Sequence, residues 1–246
     1  MKKTLILIPA RMAATRLPGK PLLQINNLSI VSHVFKRAEE ANIGEVVVAT
    51  EDQKILEEVL KNGGRAILTS SEHKTGTDRI FEAYKKLDIK NIDYILNLQG
   101  DEPNINKEDI INLNNSMIKD DAEIGTLAAL IKENKILNNK NVVKVTTESK
   151  LEKNNFPTAI NFSRDDISKT NENTYHHIGI YSYKTSVLEK FVRLEQTSNE
   201  KKNKLEQLRA LDNELKINVA LAKSSSIGVD TVEDYLAIKK IMEYKI

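Results

Sequence analysis

The sequence predicts an α/β protein whose mixed, mostly parallel sheet is flanked by helices. Short β-branched runs of strand length alternate with helical periods through the first half of the chain. Repeated β-α units of this length are typical of parallel sheets with helices on both faces. The 246 residues, of which 40% are hydrophobic, are enough for one large buried core, so we expect a single domain over residues 1–246.

The elements of the first half follow one another regularly. A compact apolar run over Thr4–Ile8, bounded by Pro9, predicts a buried first strand. Apolar residues at helical spacing predict a helix over residues 28–41. The pattern then predicts a strand at Glu45–Thr50, a helix that starts at a Thr50-x-x-Gln53 capping box and ends near Gly63-Gly64, a strand at Arg65–Thr69, a helix through Arg79–Leu87, a strand at Tyr94–Leu98, and a helix capped by Asn106.

The second half is less regular, and a polar insert over Asp165–Thr174 interrupts its strands. No internal repeat, low-complexity tail or linker rich in Pro or Gly is present. The patterns predict strands at Glu123–Ile131, Asn141–Thr147, 156–162 and 176–183, a charged helix over Asn199–Asn213, and an amphipathic closing helix over Thr231–Tyr244.

Composition excludes several classes of protein. The chain has no cysteine, which removes disulfides, thiolate catalysis and cysteine-based zinc sites and weakly favours the cytoplasm. A net charge of +2 is too balanced for a general nucleic-acid binder, so we expect no nucleic-acid partner. No apolar run approaches the roughly 20 residues of a membrane helix, and we expect no membrane partner. Neither G-x-G-x-x-G nor G-x-S-x-G occurs, which disfavours a nicotinamide site and a hydrolase elbow.

The loop after the first strand is rich in cations. It places Arg11, Arg16 and Lys20 beyond a strand's carboxyl end, where open α/β sheets bind ligands. Arg offers a fixed fork of donors and Lys a point charge, and both suit a triphosphate. Gly19 allows close backbone approach, but Pro21 follows Lys20, so this is not a Walker P-loop. A rigid surface loop with solvated charges would have the same residues.

Two further loops and one late segment carry candidate binding groups. The Thr75–Arg79 loop can hold a base or phosphate with backbone N–H groups, or can be a plain helix cap, which the residues alone favour. Asp101 follows the strand at Tyr94–Leu98 and is a natural Mg²⁺ ligand, unless it serves only the turn. Asp230 could supply a second carboxylate or simply cap the last helix. The pair His176-His177 is a weak zinc signal, and His73 is uninformative.

Together these motifs resemble a known family. PARMAATRLPGKPL, TGTDR, QGDEP, FSR, HHIGIY, EQLR and GVDTVED occur in the order of 3-deoxy-manno-octulosonate cytidylyltransferases, or CMP-Kdo synthetases, across essentially the whole chain. The resemblance implies a nucleotide-diphospho-sugar transferase fold, Rossmann-like in kind, and a homodimer. It implies that the C2 hydroxyl of Kdo attacks the α-phosphate of CTP and that pyrophosphate leaves, for lipopolysaccharide biosynthesis in the cytoplasm.

The same resemblance implies residue roles. Catalysis would rest on positioning and charge neutralisation, with no strong protein base required. The cofactor would be Mg²⁺, and the partners would be CTP and a 3-deoxy ulosonic acid. The implied catalytic residues are Arg11, Lys20, Asp101 and Asp230, of which Asp101 and Asp230 would bind the metal; the nucleotide-binding residues are Pro9, Ala10, Arg11, Arg16, Lys20, Thr75, Gly76, Thr77 and Arg79; and the sugar-binding residues are Gln99, Arg164, His177, Tyr181, Glu206 and Gln207.

Two departures from the family pattern leave the acceptor open. Ala14 stands where the family commonly has Ser, and Asp165-Asp166 follows FSR where the family has a small residue before Ile-Pro. Two added carboxylates would suit an amino sugar, so the acceptor could be 8-amino-Kdo or a neighbouring ulosonic acid instead of Kdo. The chain could also be a nucleotidyltransferase for another sugar or for UTP, or a non-catalytic nucleotide-sugar-binding relative.

Overall fold

A computed structural model describes residues 2–13, 16–166, 172–224 and 228–243. Its contacts divide the chain into two compact units. Unit 1 consists of Met1–Ile110 and Ser226–Ile246, and unit 2 of Ile111–Ser225. The single domain expected over residues 1–246 stays a prediction.

Unit 1 alternates strands and helices, as the sequence predicts. A 3₁₀ turn over Lys20–Leu22 follows the first strand and precedes a short hairpin. The elements in chain order are β1 (Thr4–Ala10), β2 (Gln24–Ile25), β3 (Leu28–Ser29), α1 (Ile30–Ala41), β4 (Gly44–Thr50), α2 (Gln53–Lys61), β5 (Ala66–Leu68), α3 (Gly76–Leu87), β6 (Tyr94–Asn97) and α4 (Lys107–Asp120), whose range includes the unit boundary.

The larger sheet of unit 1 is parallel, with strand order β6-β1-β4-β5. Thr4 pairs with Gly44 on one side and with Tyr94 on the other, so β1 is an interior strand. The side chains of residues 5–8 are 0% exposed. A parallel strand covered on both faces needs such a continuous apolar run. The apolar N-terminus is therefore a buried strand, as predicted, and the carboxyl ends of these strands share one edge.

Unit 2 has a mixed sheet. Its elements are β7 (Ile124–Ala129), α5 (Asn134–Asn138), β8 (Lys144–Thr147), β9 (Ala159–Ser163), β10 (Thr174–Lys184), α6 (Thr185–Phe191), α7 (Ser198–Asn203), α8 (Gln207–Asp212) and β11 (Ile217–Leu221). β7 pairs in parallel with β11 and antiparallel with β10, β10 pairs antiparallel with β8, and β8 pairs antiparallel with β9. The register of β10 shifts between Ile178 and Tyr181, which marks a bulge.

The last element, α9 (Val232–Glu243), belongs to unit 1 and agrees with the closing helix that the sequence predicts. Among the described ranges, no helix has the length and apolar character needed to span a bilayer. The predicted fold class, a mixed and mostly parallel sheet flanked by helices, is confirmed.

Two local predictions are wrong. The cap of α2 is not Thr50 but Asp52, whose side chain accepts hydrogen bonds from the N–H groups of Lys54 and Ile55. The predicted helix over Asn199–Asn213 is two helices, α7 and α8. Lys204 ends α7 in the left-handed region, at φ 53°, and this reverses the chain before α8.

Gly44 provides a test of the packing at the start of β4. A Cβ added there would lie 1.9 Å from the carbonyl oxygen of Thr4, which is backbone of β1 and cannot rotate away. We expect Gly44→Ala to lower the free energy of unfolding by about 2–3 kcal/mol, as overpacking does. Urea unfolding followed by circular dichroism measures this change. In the matched control, Gly228→Ala, the added Cβ meets no atom of the described residues within 4 Å. A Gly44→Ala variant as stable as the control would contradict the packing described.

Candidate functional site

A cavity of about 380 Å³ lies at the carboxyl-end edge of the parallel sheet in unit 1. The last residues of β1, the segment after β6 and the start of α3 form its wall, as expected for an open α/β sheet. Thr77 is 1% exposed and is not one of the lining residues. The lining residues are Pro9, Ala10, Arg11, Ala13, Arg16, Lys20, Pro21, His73, Lys74, Thr75, Gly76, Arg79, Gln99, Gly100, Asp101 and Asp230.

An ion network joins the predicted metal ligands to the predicted phosphate-binding lysine. Lys20 Nζ lies 2.5 Å from Asp101 Oδ2 and 2.9 Å from Asp230 Oδ1. Arg16 Nη2 donates to the other oxygen of Asp230, Oδ2, at 2.9 Å. The Lys20 side chain is only 14% exposed, so its pairing with Asp101 is mostly shielded from water, whereas Arg16 and Asp230 are about half exposed. Three segments far apart in the sequence therefore meet at a single ammonium group.

The network shifts the ionisation of its members. Burial alone would lower the pKa of Lys20, but attraction to and hydrogen bonding with Asp101 and Asp230 outweigh it and raise that pKa above its usual value. Burial works against the Asp230 carboxylate too, yet Lys20 and Arg16 lower its pKa below the usual value. Lys20 and Asp230 are therefore both charged near neutral pH.

The backbone holds these side chains in place. Gly19 has φ 72°, in the left-handed region that favours glycine, and it turns the chain into the 3₁₀ helix that begins at Lys20. Leu17 and Val229 are buried in one apolar cluster, which anchors both flanks of the site. The N–H of Val229 donates to the carbonyl oxygen of Asp101 at 2.9 Å. Backbone pairing thus fixes the two carboxylate-bearing segments next to each other.

The entry to α9 shows which side chains cap that helix. The N–H of Asp234 donates to Thr231 Oγ1 at 3.2 Å, and the N–H of Thr231 donates to Asp234 Oδ2 at 2.9 Å. This is a capping box built from Thr231 and Asp234. The carboxylate of Asp230 is not the cap; it contacts Lys20 and Arg16 instead.

The donor set fits a hard divalent cation. Asp101 and Asp230 converge on the same positive charge, at which Lys20 Nζ now lies. Mg²⁺ characteristically takes one or two protein carboxylates and completes its shell with water and phosphate oxygens. Within the described part of the chain, no group of three or more His, Asp or Glu side chains is arranged to hold a metal. The pair can therefore hold an ion that shares its coordination with a substrate, and it does not resemble an all-protein cage.

The start of α3 forms another wall of the cavity. Thr75 Oγ1 accepts a hydrogen bond from the N–H of Asp78 at 3.1 Å and so caps the helix, as the residues alone favour. A Cβ on Gly76 would come within 3.2 Å of Pro9 Cγ, so glycine permits the helix to start close to β1. The positive end of this helix dipole is one of the features that favour an anion here.

Arg79 lies mostly beneath the cavity wall. It is 3% exposed, its Nη1 lies 2.6 Å from Glu51 Oε2, and it donates to Thr69 Oγ1 at 2.7 Å. Burial lowers the pKa of Arg79 most, Glu51 opposes this, and the positive charge of Arg11 adds to it. Through these contacts, part of the Arg79 guanidinium connects α3 to two other segments of unit 1, which carry Glu51 and Thr69.

His73 lines the cavity, although the sequence alone assigns it no role. Its Nε2 hydrogen bonds to the carboxylate of Glu82, which also accepts from the N–H of Ser70 at 2.9 Å and pairs with Lys86 Nζ at 2.6 Å. Burial opposes the charge of Glu82, but these donors hold its pKa at about 2. The only sequence signal for His73 is its place two residues before the TGTDR motif.

Most residues with a predicted sugar role belong to unit 2, whereas Gln99 lines the cavity of unit 1. His177, on β10, is 8% exposed and its Nε2 lies 3.0 Å from Thr126 Oγ1. Burial, helped by His176, lowers the pKa of His177 to about 3. The rings of His177 and Tyr181 have centroids 5.5 Å apart. The structure thus brings these two predicted residues together on opposite sides of the β10 bulge.

Tyr181 and Glu206 carry buried polar atoms. The Tyr181 hydroxyl is buried and has no hydrogen-bond acceptor or donor among the described residues. Burial raises the pKa of Tyr181 well above its usual value, and Tyr183 and Glu206 add to the effect. Glu206 Oε1 lies 3.6 Å from Arg209 Nη2, and the neighbouring Gln207 is 9% exposed.

Arg164 is anchored to a neighbouring loop of unit 2. Its Nη1 donates to the carbonyl oxygen of Asn141 at 3.1 Å. Its own carbonyl oxygen accepts from Lys144 Nζ at 2.6 Å. Lys144 is 0% exposed, and it also donates to the carbonyl oxygens of Asn139 and Val142. The sequence gives no signal for Lys144, which is one lysine in a strand pattern.

Comparison with known proteins adds independent evidence. A family model described as cytidylyltransferase matches residues 5–217. The chain is 44% identical over 240 residues to a 3-deoxy-manno-octulosonate cytidylyltransferase of Afipia carboxidovorans, covering 97% of this chain and 96% of that protein. It is 42% identical to the protein of that name from Thermodesulfovibrio yellowstonii, covering 97% of this chain and 98% of that one.

Solved structures give the same picture. A CMP:2-keto-3-deoxy-manno-octonic acid synthetase complexed with CTP superposes with a TM-score of 0.90 at 33% identity, covering 100% of both chains. A cytidylyltransferase from Leptospira borgpetersenii has a TM-score of 0.65 at 22% identity, covering 100% of this chain and 89% of that one. The second likeness shows the fold alone.

Glu82 gives the cavity wall a pH-dependent stability. Its pKa falls from 4.5 to about 2 on folding, so its contribution is complete above about pH 4.5 and is lost as the pH falls through about 2. We expect Glu82→Gln to lower the free energy of unfolding by about 1–2 kcal/mol at pH 7, since its partly exposed partners are screened. Urea unfolding between pH 7 and pH 2 should show this difference shrinking below about pH 4.5.

Glu57, an exposed carboxylate on α2, is the matched control for Glu82. Its Gln variant should lose much less stability at pH 7. A Glu82→Gln difference that stayed constant down to pH 2 would contradict the contacts assigned to Glu82.

Proposed function

Because the chain belongs to the family of 3-deoxy-manno-octulosonate cytidylyltransferases and is a nucleotidyltransferase, we propose that it transfers CMP from CTP to Kdo and releases pyrophosphate. The observation that carries the proposal is the Lys20, Asp101 and Asp230 network in a cation-rich cavity at the sheet edge. The C2 hydroxyl oxygen of Kdo bonds to the α-phosphorus of CTP, and the bond to the β-phosphate oxygen breaks. Pyrophosphate is the leaving group, and the hydroxyl proton passes to solvent.

The triphosphate would bind among the cations of unit 1. Arg11, Arg16 and Lys20 line one cavity, and the start of α3 adds the positive end of a helix dipole. Phosphoryl transfer demands neutralisation of charge on the phosphate oxygens more than covalent participation by the protein. Arginine forks can also orient the phosphates bidentately. This supports a role for these residues in holding CTP with its α-phosphate positioned for attack.

Asp101 and Asp230 would hold a divalent metal, and we propose Mg²⁺. When bound, that ion supplies neutralisation of phosphate charge and increased acidity of a nearby hydroxyl. The two carboxylates contribute by facing one point in the cavity, as their shared contact with Lys20 indicates. No described feature of the site calls for a strong protein base.

The residues that we propose for the sugar are Gln99 in unit 1 and, in unit 2, Arg164, His177, Tyr181, Glu206 and Gln207. Arg164 can clamp the sugar carboxylate with its remaining guanidinium donors. His177 is neutral at physiological pH, so it would form hydrogen bonds with sugar hydroxyl groups without adding charge to the site. Tyr181 keeps its proton, so its hydroxyl can donate a hydrogen bond to a sugar oxygen. We propose that Glu206 and Gln207 accept hydrogen bonds from sugar hydroxyls.

One observation favours a second acceptor. Asp165 is exposed and Asp166 is half-buried, directly after Arg164. Two carboxylates beside the proposed carboxylate clamp would attract a cationic amino group, so 8-amino-Kdo is the second candidate. The family resemblance further supports a homodimer in the cytoplasm as part of this proposal.

The proposal is tested by pyrophosphate release from CTP with Mg²⁺ and Kdo, followed by mass analysis of the product. We expect release with Kdo, a product of the mass of CMP-Kdo, and little release when UTP replaces CTP. Release with 8-amino-Kdo alone would assign the second acceptor and connect it to Asp165-Asp166. Folded protein that releases pyrophosphate with neither sugar would overturn the proposed reaction.

Asp101→Asn should lower kcat at least about 10³-fold without loss of the fold. The asparagine side chain has the shape of the aspartate, but one of the two proposed metal-binding charges is lost. Steady-state kinetics measure the loss, and circular dichroism verifies the fold. Asp120→Asn, which removes an exposed carboxylate at the end of α4, is the matched control and should keep wild-type kcat. Wild-type turnover in Asp101→Asn would refute the metal role.

A further inference from the structure

We propose that Lys20 acts as an internal counterion that excludes a bare divalent cation from Asp101 and Asp230 until a nucleotide binds. The inference rests on the proposed function, because it concerns the order in which the same site is filled. It adds a second role to Lys20, that of a positioning residue for the two carboxylates before any substrate is present.

The Lys20 ammonium lies between the two carboxylates, at the position that a metal bound to both of them would need. Lys20 Nζ is within hydrogen-bond distance of a carboxylate oxygen of Asp101 and of Asp230 at the same time, at 2.5 and 2.9 Å. An ion that uses both carboxylates must therefore displace the ammonium or share its partners. Because the Lys20 side chain is 14% exposed, water screens the repulsion between the two cations poorly.

The carboxylate pair is already neutralised without a metal. Lys20 balances one negative charge and Arg16, which donates to Asp230 Oδ2 at 2.9 Å, balances another. An aqueous divalent ion would lose hydration and gain little net attraction. Weak metal binding by the protein alone follows directly from this balance of charge.

A nucleotide changes the balance because it offers Lys20 new anionic partners. Four further cationic side chains, those of Arg11, Arg16, Lys74 and Arg79, line the cavity that contains Lys20. Triphosphate oxygens drawn there can accept from the Lys20 ammonium, a point charge on a flexible stem. The carboxylates are then left with excess negative charge, beside phosphate oxygens that can complete a metal's shell.

Only the side chain of Lys20 has to move. Gly19 and Pro21 flank it in a 3₁₀ turn, and the N–H of Lys20 donates to the carbonyl oxygen of Leu17 at 3.2 Å. The carboxylate-bearing segments are likewise fixed by the Val229 to Asp101 backbone hydrogen bond. The exchange therefore needs rotation about lysine side-chain bonds and no rearrangement of the fold.

The test measures Mn²⁺ affinity by electron paramagnetic resonance, with no sugar and no turnover, for the wild-type chain and for Lys20→Met. Wild type should bind Mn²⁺ weakly alone and at least about tenfold more tightly with α,β-methylene-CTP. Lys20→Met should bind Mn²⁺ alone at least about tenfold more tightly than wild type, because the competing charge is gone. The nucleotide should then strengthen Mn²⁺ binding less in the variant than in wild type.

Lys74→Met is the matched control, since it removes a cation from the same cavity without removing the ammonium between the carboxylates. It should change Mn²⁺ affinity much less than Lys20→Met does. Unchanged or weaker Mn²⁺ binding by folded Lys20→Met would overturn the inference. An Mn²⁺ affinity of the wild-type chain that is the same with and without the nucleotide analogue would also overturn it. This second comparison does not require the variant to fold.

The outcome is separable from that of the proposed reaction. Wild-type turnover with CTP, Mg²⁺ and Kdo tests the reaction, whereas the Mn²⁺ titration tests the counterion alone. A chain that fails to make CMP-Kdo but shows the Lys20-dependent change in Mn²⁺ affinity would retain the inference and lose the substrate assignment.

Discussion

The ammonium group of Lys20 is the point on which the arrangement of the site in unit 1 depends. Its partners Asp101 and Asp230 lie 81 and 210 residues further along the chain, and both carboxylates contact it. Burying a charge is costly unless it is paired with good geometry, and the mostly buried Lys20 ammonium has two carboxylate partners. The pairing therefore helps to fix the first loop, the turn after β6 and the entry to α9 with respect to one another.

The apolar framework beneath these charges makes the pairing possible. β1, whose residues 5–8 are fully buried, leads to the cation-rich loop at the sheet edge, and the cluster that contains Leu17 and Val229 anchors both flanks of the network. The capping box of Thr231 and Asp234 satisfies the start of α9 without using Asp230. The Asp230 carboxylate next to this helix start is therefore not needed as the cap, and it contacts Lys20 and Arg16 in the cavity instead.

Much of the fold can be predicted from the sequence, because the spacing of apolar residues along the chain indicates which side chains are buried. The apolar run of β1 and the β-α spacing predict the parallel sheet, and the resemblance read from the motifs is confirmed by relatives over nearly the whole chain. The division of Asn199–Asn213 into two helices could not be predicted, since it depends on a left-handed Lys204. The contacts of His73 and Lys144 could not be predicted from the sequence, because their partners lie outside the local motifs of these residues.

A crystal structure with Mn²⁺ and α,β-methylene-CTP, with anomalous scattering used to locate the metal, would show what replaces the ammonium between the two carboxylates. We predict one anomalous peak in contact with both Asp101 and Asp230, and Lys20 Nζ on a phosphate oxygen. A metal bound away from these carboxylates, with Lys20 still between them, would contradict both the metal site and the counterion role.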